Sequence, residues 1–446
     1  MTDVRQSRNS ARDRVAYAGV IMAATVVAFA AGAGSPLFVL YQREWGFPDW
    51  ELTAAFTVYA VALLATLLIA GSLSDHIGRR RVVTGALILM LVASGLFLAA
   101  DGIGWVIAAR VVQGLATGAA TSTFTAMIVE LAPDAGKRTA TLISSAAPVG
   151  GLALGAFGAG VAVQVSDRPT VVVFGSLTVV FVLGIAAVLL ARETATPRPH
   201  ALASLRPRLA VPRRAAGEFA AAAPLLAAAW SLSGLFLGLA PSIDHGIFGV
   251  DSGTVNGLVV ALQPTSSAIA GLALGGIPTR RRAVLGSALV LAGVVVAAIG
   301  AVTGTLVVFG LGAVIGGIGF GSGFAATLQI LGPLAREHER GGLFSAVYLV
   351  NYLAYGVPAL IAGLVVDRAG LSATVVGYAA VTAALATVAL FVQTARARTA
   401  SPAPIVHAPD SPRGGGRSGR VGGGNTPAPD TTSPETTSEC ATRPGR

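Results

Sequence analysis

One short segment concentrates charge within an otherwise apolar sequence. Residues 71–82 read GSLSDHIGRRRV, with Asp75, His76 and three consecutive arginines between two long apolar runs. An acid at a helix end can be held by a neighbouring helix N-terminus or by arginines. Gly71 and Gly78 permit close helix approach and a tight reversal. The pattern predicts an ion-pair latch around Asp75. The alternative is that the positive charge only keeps this link on one side of a membrane. That would explain the arginines but not the acid.

A second charged site lies inside an apolar run, in the sequence ARVVQGLATG. Arg110 is the only basic residue well inside any such run, and an arginine at the bilayer centre costs about 2.5–3.5 kcal/mol on insertion scales. Because arginine does not deprotonate, we expect Arg110, with Gln113 and Gly114 beside it, to bias a nearby acid or to bind an anionic substrate. The alternative is that its side chain extends outward to the membrane surface.

Polar and aromatic residues in the second half of the chain are candidate substrate contacts. They are Trp230, Gln263, Tyr348, Asn351, Tyr352 and Tyr355. The last four recur at a spacing of three or four, share one helix face and precede Pro358, a possible kink. A polar aromatic face suits an amphipathic organic substrate. A helix–helix interface uses the same residue types, so both interpretations stay open.

Carboxylates are absent from the centres of the apolar runs. The acids nearest to them, Glu51, Glu130, Asp244 and Asp251, all fall at or near ends. A proton-coupled carrier needs a titratable group that both sides reach in turn. The candidates are Asp75, Glu130, and Asp244 with His245, and a uniporter without proton coupling is the alternative.

Enzyme and cofactor chemistry find no support in the sequence. The histidines are scattered without ligand spacing, and no phosphate-binding glycine motif with lysine occurs. Cys440 is the only cysteine, which excludes a disulfide framework and a cysteine metal site. We therefore expect no metal, no cofactor and no ATP-driven step.

Composition predicts a membrane protein. The 446 residues are 54% hydrophobic and 12% charged, against about 25% charged residues in soluble domains. Twelve apolar runs are long enough to cross a bilayer as helices. Their predicted limits are 15–40, 52–73, 82–100, 103–129, 139–165, 170–191, 219–242, 253–277, 283–301, 304–330, 342–366 and 371–392.

The basic residues predict the orientation. Twenty Lys and Arg residues occupy the N-terminus and the links that follow even-numbered spans, whereas the other links carry only Arg43, Arg168 and Arg368. This asymmetry places both termini in the cytoplasm. It also explains the net charge of +10 without a nucleic-acid partner. One lysine against thirty arginines indicates a GC-rich bacterial genome, and hence the bacterial inner membrane.

Internal similarity predicts a duplication. RRRVVTGALIL at residue 79 aligns with RRRAVLGSALV at 280, and LISS at 142 with LFSA at 343, both at an offset of 201. Such repeats build transporters with a midplane site between two halves. The predicted parts are a cytoplasmic N-terminus (1–14), two pseudo-symmetric six-helix bundles (15–191 and 219–392), a cytoplasmic linker (192–218) and a disordered cytoplasmic tail (393–446). The second copy lacks the acid, so Asp75 is predicted to be the only acidic member of the latch.

Three motifs resemble the major facilitator superfamily. Gly71, Leu73, Asp75, Gly78, Arg79 and Arg80 resemble its signature between spans two and three, approximately GxLaDrxGRKxxl, with His76 and Arg80 as departures. Arg110, Gln113 and Gly114 resemble the RxxqG motif of proton-coupled members. Gly151, Gly155 and Gly160 resemble the GxxxGPxxGG pattern of twelve-span drug/proton antiporters, although Ala156 and Ala159 replace a proline and a glycine. Ordinary packing of small residues explains these glycines nearly as well.

The resemblance implies a carrier with alternating access, in which contacts of the first motif between the two halves hold the outward-facing state and break in the inward-facing one. We predict a monomeric, proton-coupled exporter of a small amphipathic organic compound. Uptake or facilitated diffusion of a metabolite is the alternative. A transport-inactive sensor or scaffold would use the tail as its partner site, and the tail lacks an apolar recognition stretch.

Overall fold

The computed structural model describes residues 2–71, 73–133, 136–195, 209–336 and 339–399, without the side chains of residues 2–11 and 138. Residues 196–208 of the predicted linker and nearly all of the predicted tail lie outside these ranges. The described chain is almost entirely helical, and twelve of its helices are long and apolar enough to cross a membrane. The predicted class, an all-α membrane protein with twelve spans, is confirmed.

The helix bounds define spans one to twelve. The first six spans are Thr2–Trp45, Asp49–Ala70, Arg79–Leu98, Ile103–Leu131, Lys137–Val165 and Pro169–Leu190. Span seven consists of Arg213–Gly234, a π-helical segment Leu235–Leu239 and Ala240–Gly246. Span eight is Gly253–Ala273, continued by a 3₁₀ turn, and spans nine to twelve are Thr279–Thr303, Leu306–Leu331, Arg340–Ala369 and Leu371–Thr399. A short helix, Ser74–Ile77, lies between spans two and three.

The helices extend beyond several of the predicted apolar limits. Span seven begins at Arg213, inside the predicted linker, and span twelve continues to Thr399, past the predicted limit at 392. An apolar run marks the hydrocarbon layer, whereas a helix that has already formed extends at little cost into the polar interface because each added residue closes another hydrogen bond. Hydropathy therefore locates the spans but underestimates their length.

The two halves repeat the same helix pairings. In the first bundle, span one packs against spans five and six, span two against four, and span three against four and six. The second bundle has the equivalent pairs: seven with eleven and twelve, eight with ten, and nine with ten and twelve. This repetition is the pseudo-symmetry expected of a duplicated transporter.

Two pairs of spans, each with one helix from either bundle, join the bundles. Span five packs against span eight, and span two against span eleven. Gly160 lies so close to Gly253 and Gly257 that a Cβ atom on it would collide with their backbone. Thr57 Oγ1 also donates a hydrogen bond to Gly356 O at 3.2 Å. Small residues allow this close approach of helices within a bilayer.

Two names are used below for the ends of the bundles. The Arg-rich end carries residues 79–81 and 280–282 and is where the first span begins and the twelfth ends. The opposite end carries the links after spans one, three, five, seven, nine and eleven.

Candidate functional site

A charged cluster at the Arg-rich end of the first bundle contains the predicted latch. Arg79 Nη1 lies 2.7 Å from Asp75 Oδ1 and also donates to Ser74 Oγ at 2.7 Å. Arg79 Nη2 lies 3.1 Å from Glu130 Oε1, at the end of span four. Ser122 Oγ donates to the carbonyl of Gly71 at 3.2 Å. The motif thus ties the link after span two to span four.

The carboxylate of Glu193, which follows span six, caps the N-terminus of span three. Its oxygens accept from the backbone nitrogens of Arg79 at 2.8 Å and Arg80 at 3.2 Å. Negative charge at a helix N-terminus satisfies free N–H groups and interacts favourably with the helix dipole. Gly78 has a φ of 103°, and a Cβ on it would lie 2.5 Å from Glu193 Oε2. The positive φ therefore requires glycine there, and a Cβ would displace the Glu193 carboxylate from the cap.

The prediction that Asp75 is the only acidic member of the latch is wrong. Glu130 and Glu193 contact Arg79 in the first bundle. In the second bundle Arg280, 201 residues after Arg79, makes two 2.7 Å hydrogen bonds to Glu218. Arg396 lies 3.3 Å from the same carboxylate. The acids come from other helices, so the alignment of the two arginine motifs alone does not show them.

Arg110 is buried between spans four and two. Its side chain is 1% exposed, Nε donates to Ala55 O at 3.2 Å, and Nη1 donates to Gln113 Oε1 at 2.6 Å. The guanidinium carbon lies 4.0 Å from the centroid of the Tyr59 ring. The alternative in which Arg110 extends to the membrane surface is therefore wrong, because backbone, amide and aromatic groups hold the side chain inside the protein.

Gly114 accounts for this placement of Arg110. A Cβ on Gly114 would lie 2.5 Å from Tyr59 O and 2.8 Å from the Ala62 side chain. The missing side chain lets span four approach span two, which brings the Arg110 guanidinium over the Tyr59 ring. The three residues of the second motif thus form one packed unit.

Polar contacts join the two bundles near the opposite end. Arg43 Nη2 lies 3.2 Å from Asp251 Oδ1, and His245 Nδ1 lies 2.9 Å from the same oxygen. Gln164 Oε1 accepts from Ser252 Oγ and from the backbone nitrogen of Gly253, each at 3.0 Å. With the close packing of Gly160, these contacts form a seal between the bundles, called the opposite-end seal below.

The π-helical segment of span seven also belongs to this region. Ser35 Oγ of span one donates to Leu237 O at 2.7 Å, and π-helical turns are frequent at functional sites. Five residues after this segment, Asp244 is 0% exposed. Neither of its carboxylate oxygens has a hydrogen-bond partner among the described residues. The sequence placed Asp244 near a span end; its complete burial arises from packing.

The candidate substrate residues of the second bundle form an aromatic cluster. The Trp230 ring lies 5.1 Å from that of Tyr352 and 6.5 Å from that of Tyr355, centroid to centroid. Phe320 and Phe324 of span ten are at 5.6 and 6.1 Å from Trp230. Tyr348 stacks on Tyr352 at 6.3 Å. Trp230, Tyr348 and Tyr352 are half-buried, whereas Tyr355 is buried.

The two amide candidates are satisfied within the protein. Asn351 is 0% exposed, and with its amide oriented to match its neighbours it accepts from Trp230 Nε1 at 3.3 Å and donates to Val347 O at 3.2 Å. Gln263 Nε2 donates to Ser233 Oγ at 2.9 Å. Asn351 thus holds the Trp230 ring, whereas Gln263 joins span eight to span seven through Ser233.

A groove runs along the first bundle, on the Arg-rich side of the opposite-end seal. It is lined by spans one, four and five, with Thr117, Thr121, Thr125, Ser144 and Pro148 among its residues. A small cluster of Ala31, Tyr59, Leu63, Leu152 and Tyr352 connects the bundles at its inner end. Tyr348 lies one turn nearer the Arg-rich end than Tyr352. Leu152, one turn after the groove-lining Pro148, packs in this cluster with Tyr352, so the groove adjoins the aromatic cluster through this junction.

The three glycines of the third motif contact two different neighbours. Cβ atoms on Gly151 and Gly155 would collide with the carbonyls of Thr25 and Phe29 in span one. Gly160 instead faces span eight of the other bundle. The first two glycines pack span five within its bundle, and the third builds the contact between bundles.

Sequence reasoning missed the residues that join the bundles. Ser35, Gln164 and the pair of Arg43 with Asp251 were not candidates for a site. The sequence did contain one indication of the pair of Arg43 with Asp251, because Arg43 is one of only three basic residues in the links at that end. Among the described residues, no group of His, Cys, Asp or Glu side chains is arranged to hold a metal ion.

Comparison with known proteins agrees with this architecture. The Major Facilitator Superfamily matches residues 20–280. A POT family transporter in complex with 5-aminolevulinic acid has a TM-score of 0.69 at 12% identity, covering 85% of this chain and 96% of that chain. The peptide transporter POT in complex with sulfate has a TM-score of 0.69 at 14% identity, covering 87% of this chain and 95% of that chain. The human organic anion transporter MFSD10 (TETRAN) has a TM-score of 0.61 at 16% identity, covering 85% of this chain and 99% of that chain. Comparison with curated sequences finds no match.

Fold and site define a multi-pass membrane transporter rather than an enzyme: two pseudo-symmetric bundles of six helices meet at a seal, with a groove on one side of it. The chain belongs to the Major Facilitator Superfamily. At these identities the solved structures establish the fold, which peptide and organic anion carriers share.

Proposed function

We propose that this transporter exports a small amphipathic organic compound from a bacterial cytoplasm in exchange for protons. The observation that carries the proposal is the pairing of a largely apolar groove that bears four hydroxyl side chains with a half-buried aromatic cluster. Such a surface binds molecules with both polar and apolar faces. The charge asymmetry of the links supports a cytoplasmic Arg-rich end, and in that orientation the groove receives its substrate from inside.

In alternating access, the opposite-end seal, the charged cluster around Arg79 and Asp244 each have a role in the transport cycle. Breaking the contacts of Arg43 and Gln164 with the second bundle opens the opposite end, while the charged cluster around Arg79 stabilises the first bundle at the Arg-rich end. Movement of the bundles about the midplane then exposes the groove outside. The carboxyl of Asp244, buried and without a hydrogen-bond partner among the described residues, supports proton coupling, because opening the seal would give a buried titratable group access to water.

Facilitated diffusion is the second candidate, and one observation favours it. The groove-lining residues include no acid or base, so the substrate site itself carries no proton-binding side chain. Inverted membrane vesicles distinguish the two. With the outside-equivalent lumen made acidic, antiport accumulates an amphipathic test compound in the lumen above its external concentration. Equilibration without accumulation would support facilitated diffusion and contradict antiport. Vesicles without the protein are the control.

Orientation is tested through the single cysteine. In the proposed inner-membrane topology, with both termini cytoplasmic, a membrane-impermeant maleimide labels Cys440 in inverted vesicles but not in intact spheroplasts. Cys440→Ser removes the signal, and Asp101→Cys in that background should be labelled in spheroplasts. Labelling of Cys440 in intact spheroplasts would overturn the orientation. Light scattering of the purified protein tests the proposed monomer.

A further inference from the structure

The N-termini of spans three and nine are equivalent in the duplicated fold but differ in how they are capped. In span three, the carboxylate of Glu193 accepts from two backbone nitrogens. Span nine follows Pro278, which makes no side-chain cap hydrogen bond. The equivalent N–H groups of span nine, those of Arg280 and Arg281, have no acceptor among the described residues. Free N–H groups at a helix N-terminus attract anions.

The side chain of Arg282 is a second, independent indication of a ligand at this place. It is 2% exposed, and neither Nε nor Nη2 has a hydrogen-bond partner among the described residues. A buried guanidinium without an anion is costly, because its donors have lost water without a replacement. Nε and Nη2 form one edge of the guanidinium, and their parallel N–H bonds match two oxygens of a phosphate.

The guanidinium of Arg282 lies toward the start of its helix. Side chains of an α-helix lean toward the N-terminus, and Arg282 Nη1 donates to Leu274 O at 3.5 Å, a carbonyl in the turn before span nine. The same turn contains Gly275 and Gly276, which are exposed and have nothing within 4 Å of an added Cβ. Open space beside this glycine turn gives an anion a route to the guanidinium.

The acids around the two arginine segments differ in the same way. Residues 79–81 contact three acids, Asp75, Glu130 and Glu193. Residues 280–282 contact one acid among the described residues, Glu218, and Arg396 lies 3.3 Å from that same carboxylate. The second segment therefore keeps positive charge that its own protein neutralises in the first.

From these observations we infer that the start of span nine is a phosphate-binding site. The Nε and Nη2 edge of Arg282 binds two phosphate oxygens, and the N–H groups of the helix start and the charge of Arg281 stabilise the anion. The phosphate belongs to an anionic phospholipid, whose head group lies at the membrane interface where span nine begins, or to a soluble phosphate at the Arg-rich end. The site is separate from the groove, so it depends on neither the direction nor the coupling of transport.

Titration calorimetry on the purified full-length protein in detergent tests the site with three probes. Dihexanoyl phosphatidylglycerol and inorganic phosphate represent the two sources, and the zwitterionic dihexanoyl phosphatidylcholine is the control. At least one anionic probe should bind about tenfold more tightly than phosphatidylcholine. Tighter binding of phosphatidylglycerol than of inorganic phosphate assigns the site to the lipid, and the reverse or equal affinity assigns it to soluble phosphate. If neither binds more tightly than phosphatidylcholine, the inference is overturned.

A pair of matched variants assigns the binding to Arg282. Arg282→Met should weaken binding of the tighter anionic probe about tenfold, because a bidentate charged contact is lost. Arg81→Met is the control and should leave the affinity unchanged, since Arg81 holds the equivalent position in the first segment and donates to Ile77 O at 3.3 Å. Both variants remove one positive charge from the Arg-rich end. Equal weakening in the two, or full affinity in Arg282→Met, contradicts the inference.

The variant Pro278→Asp tests the helix start without changing Arg282. An aspartate at the N-cap accepts from the N–H groups of its own helix, as Glu193 does in span three, and so takes the place of the anion. Binding of the probe should fall about tenfold while the thermal denaturation midpoint stays the same or rises. Wild-type affinity in Pro278→Asp with an unlowered midpoint would overturn the inference.

Discussion

Glu193 Oε1 lies 2.8 Å from the backbone nitrogen of Arg79, although 114 residues separate them in the chain. The contact fixes the end of span six to the start of span three. It exists because Gly78 has no side chain and a positive φ. Gly78, within the signature motif, thus leaves room for the carboxylate of Glu193, which lies outside the motif.

Gly78→Ala should destabilise the protein. The substitution forces a positive φ on alanine and displaces the Glu193 carboxylate that caps span three, a combined cost of about 2–3 kcal/mol in the free energy of unfolding. Thermal denaturation in detergent should show a midpoint lower by several degrees. Gly85→Ala is the control, since nothing lies within 4 Å of a Cβ there; equal midpoints for the two variants would refute the packing argument.

Asp75→Asn should slow transport at least tenfold with little effect on stability. The ion pair with Arg79 is 44% exposed on the acid side, and exposed pairs contribute little to stability, while Glu130 continues to hold Arg79. Initial transport rates in vesicles and denaturation midpoints measure the two effects. Asp101→Asn, in an exposed link at the opposite end, provides the control. Unchanged turnover in Asp75→Asn would remove Asp75 from gating.

Arg110→Ala should reduce transport at least tenfold while membrane expression stays within twofold. The change leaves Gln113 Oε1 and Ala55 O without their donor and removes the charge over Tyr59. Arg110→Lys should restore transport only in part, because an ammonium cannot reproduce the fixed fork of a guanidinium. Transport normalised to immunoblot signal is the measurement, with the exposed Arg368→Ala as control. Parallel loss of expression and transport would indicate a structural role alone.

Cross-linking the opposite-end seal should stop transport reversibly. Arg43 and Asp251 belong to different bundles, and their charged groups are 3.2 Å apart. In a Cys440→Ser background, Arg43→Cys together with Asp251→Cys should react with a short thiol-specific cross-linker containing a reducible disulfide. Transport should fall below one tenth and recover after reduction. The Arg43→Cys single variant controls for the reagent, and full activity of the cross-linked protein would show that this end need not open.

The fold could be predicted from the sequence because bilayer thickness dictates the length of each apolar run. Twelve spans and two six-helix bundles follow from composition and from the repeat at an offset of 201, and the structure confirms them. The site was predicted less completely. Arg110, Gln113 and Gly114 do form one unit, but Glu130 and Glu193 around Arg79 and the contacts of the opposite-end seal come from segments distant in sequence.

The sequence by itself determined where the chain crosses the membrane, which residues form each motif and which links make up the Arg-rich end. These properties depend on local composition and spacing. Tertiary structure alone decided that Glu193 caps span three, that Asp244 loses all contact with water and that Arg43 meets Asp251. These relationships depend on which helix faces pack together. Side-chain volume at positions such as Gly78, Gly114 and Gly160 sets that packing, and no local pattern of hydrophobicity records it.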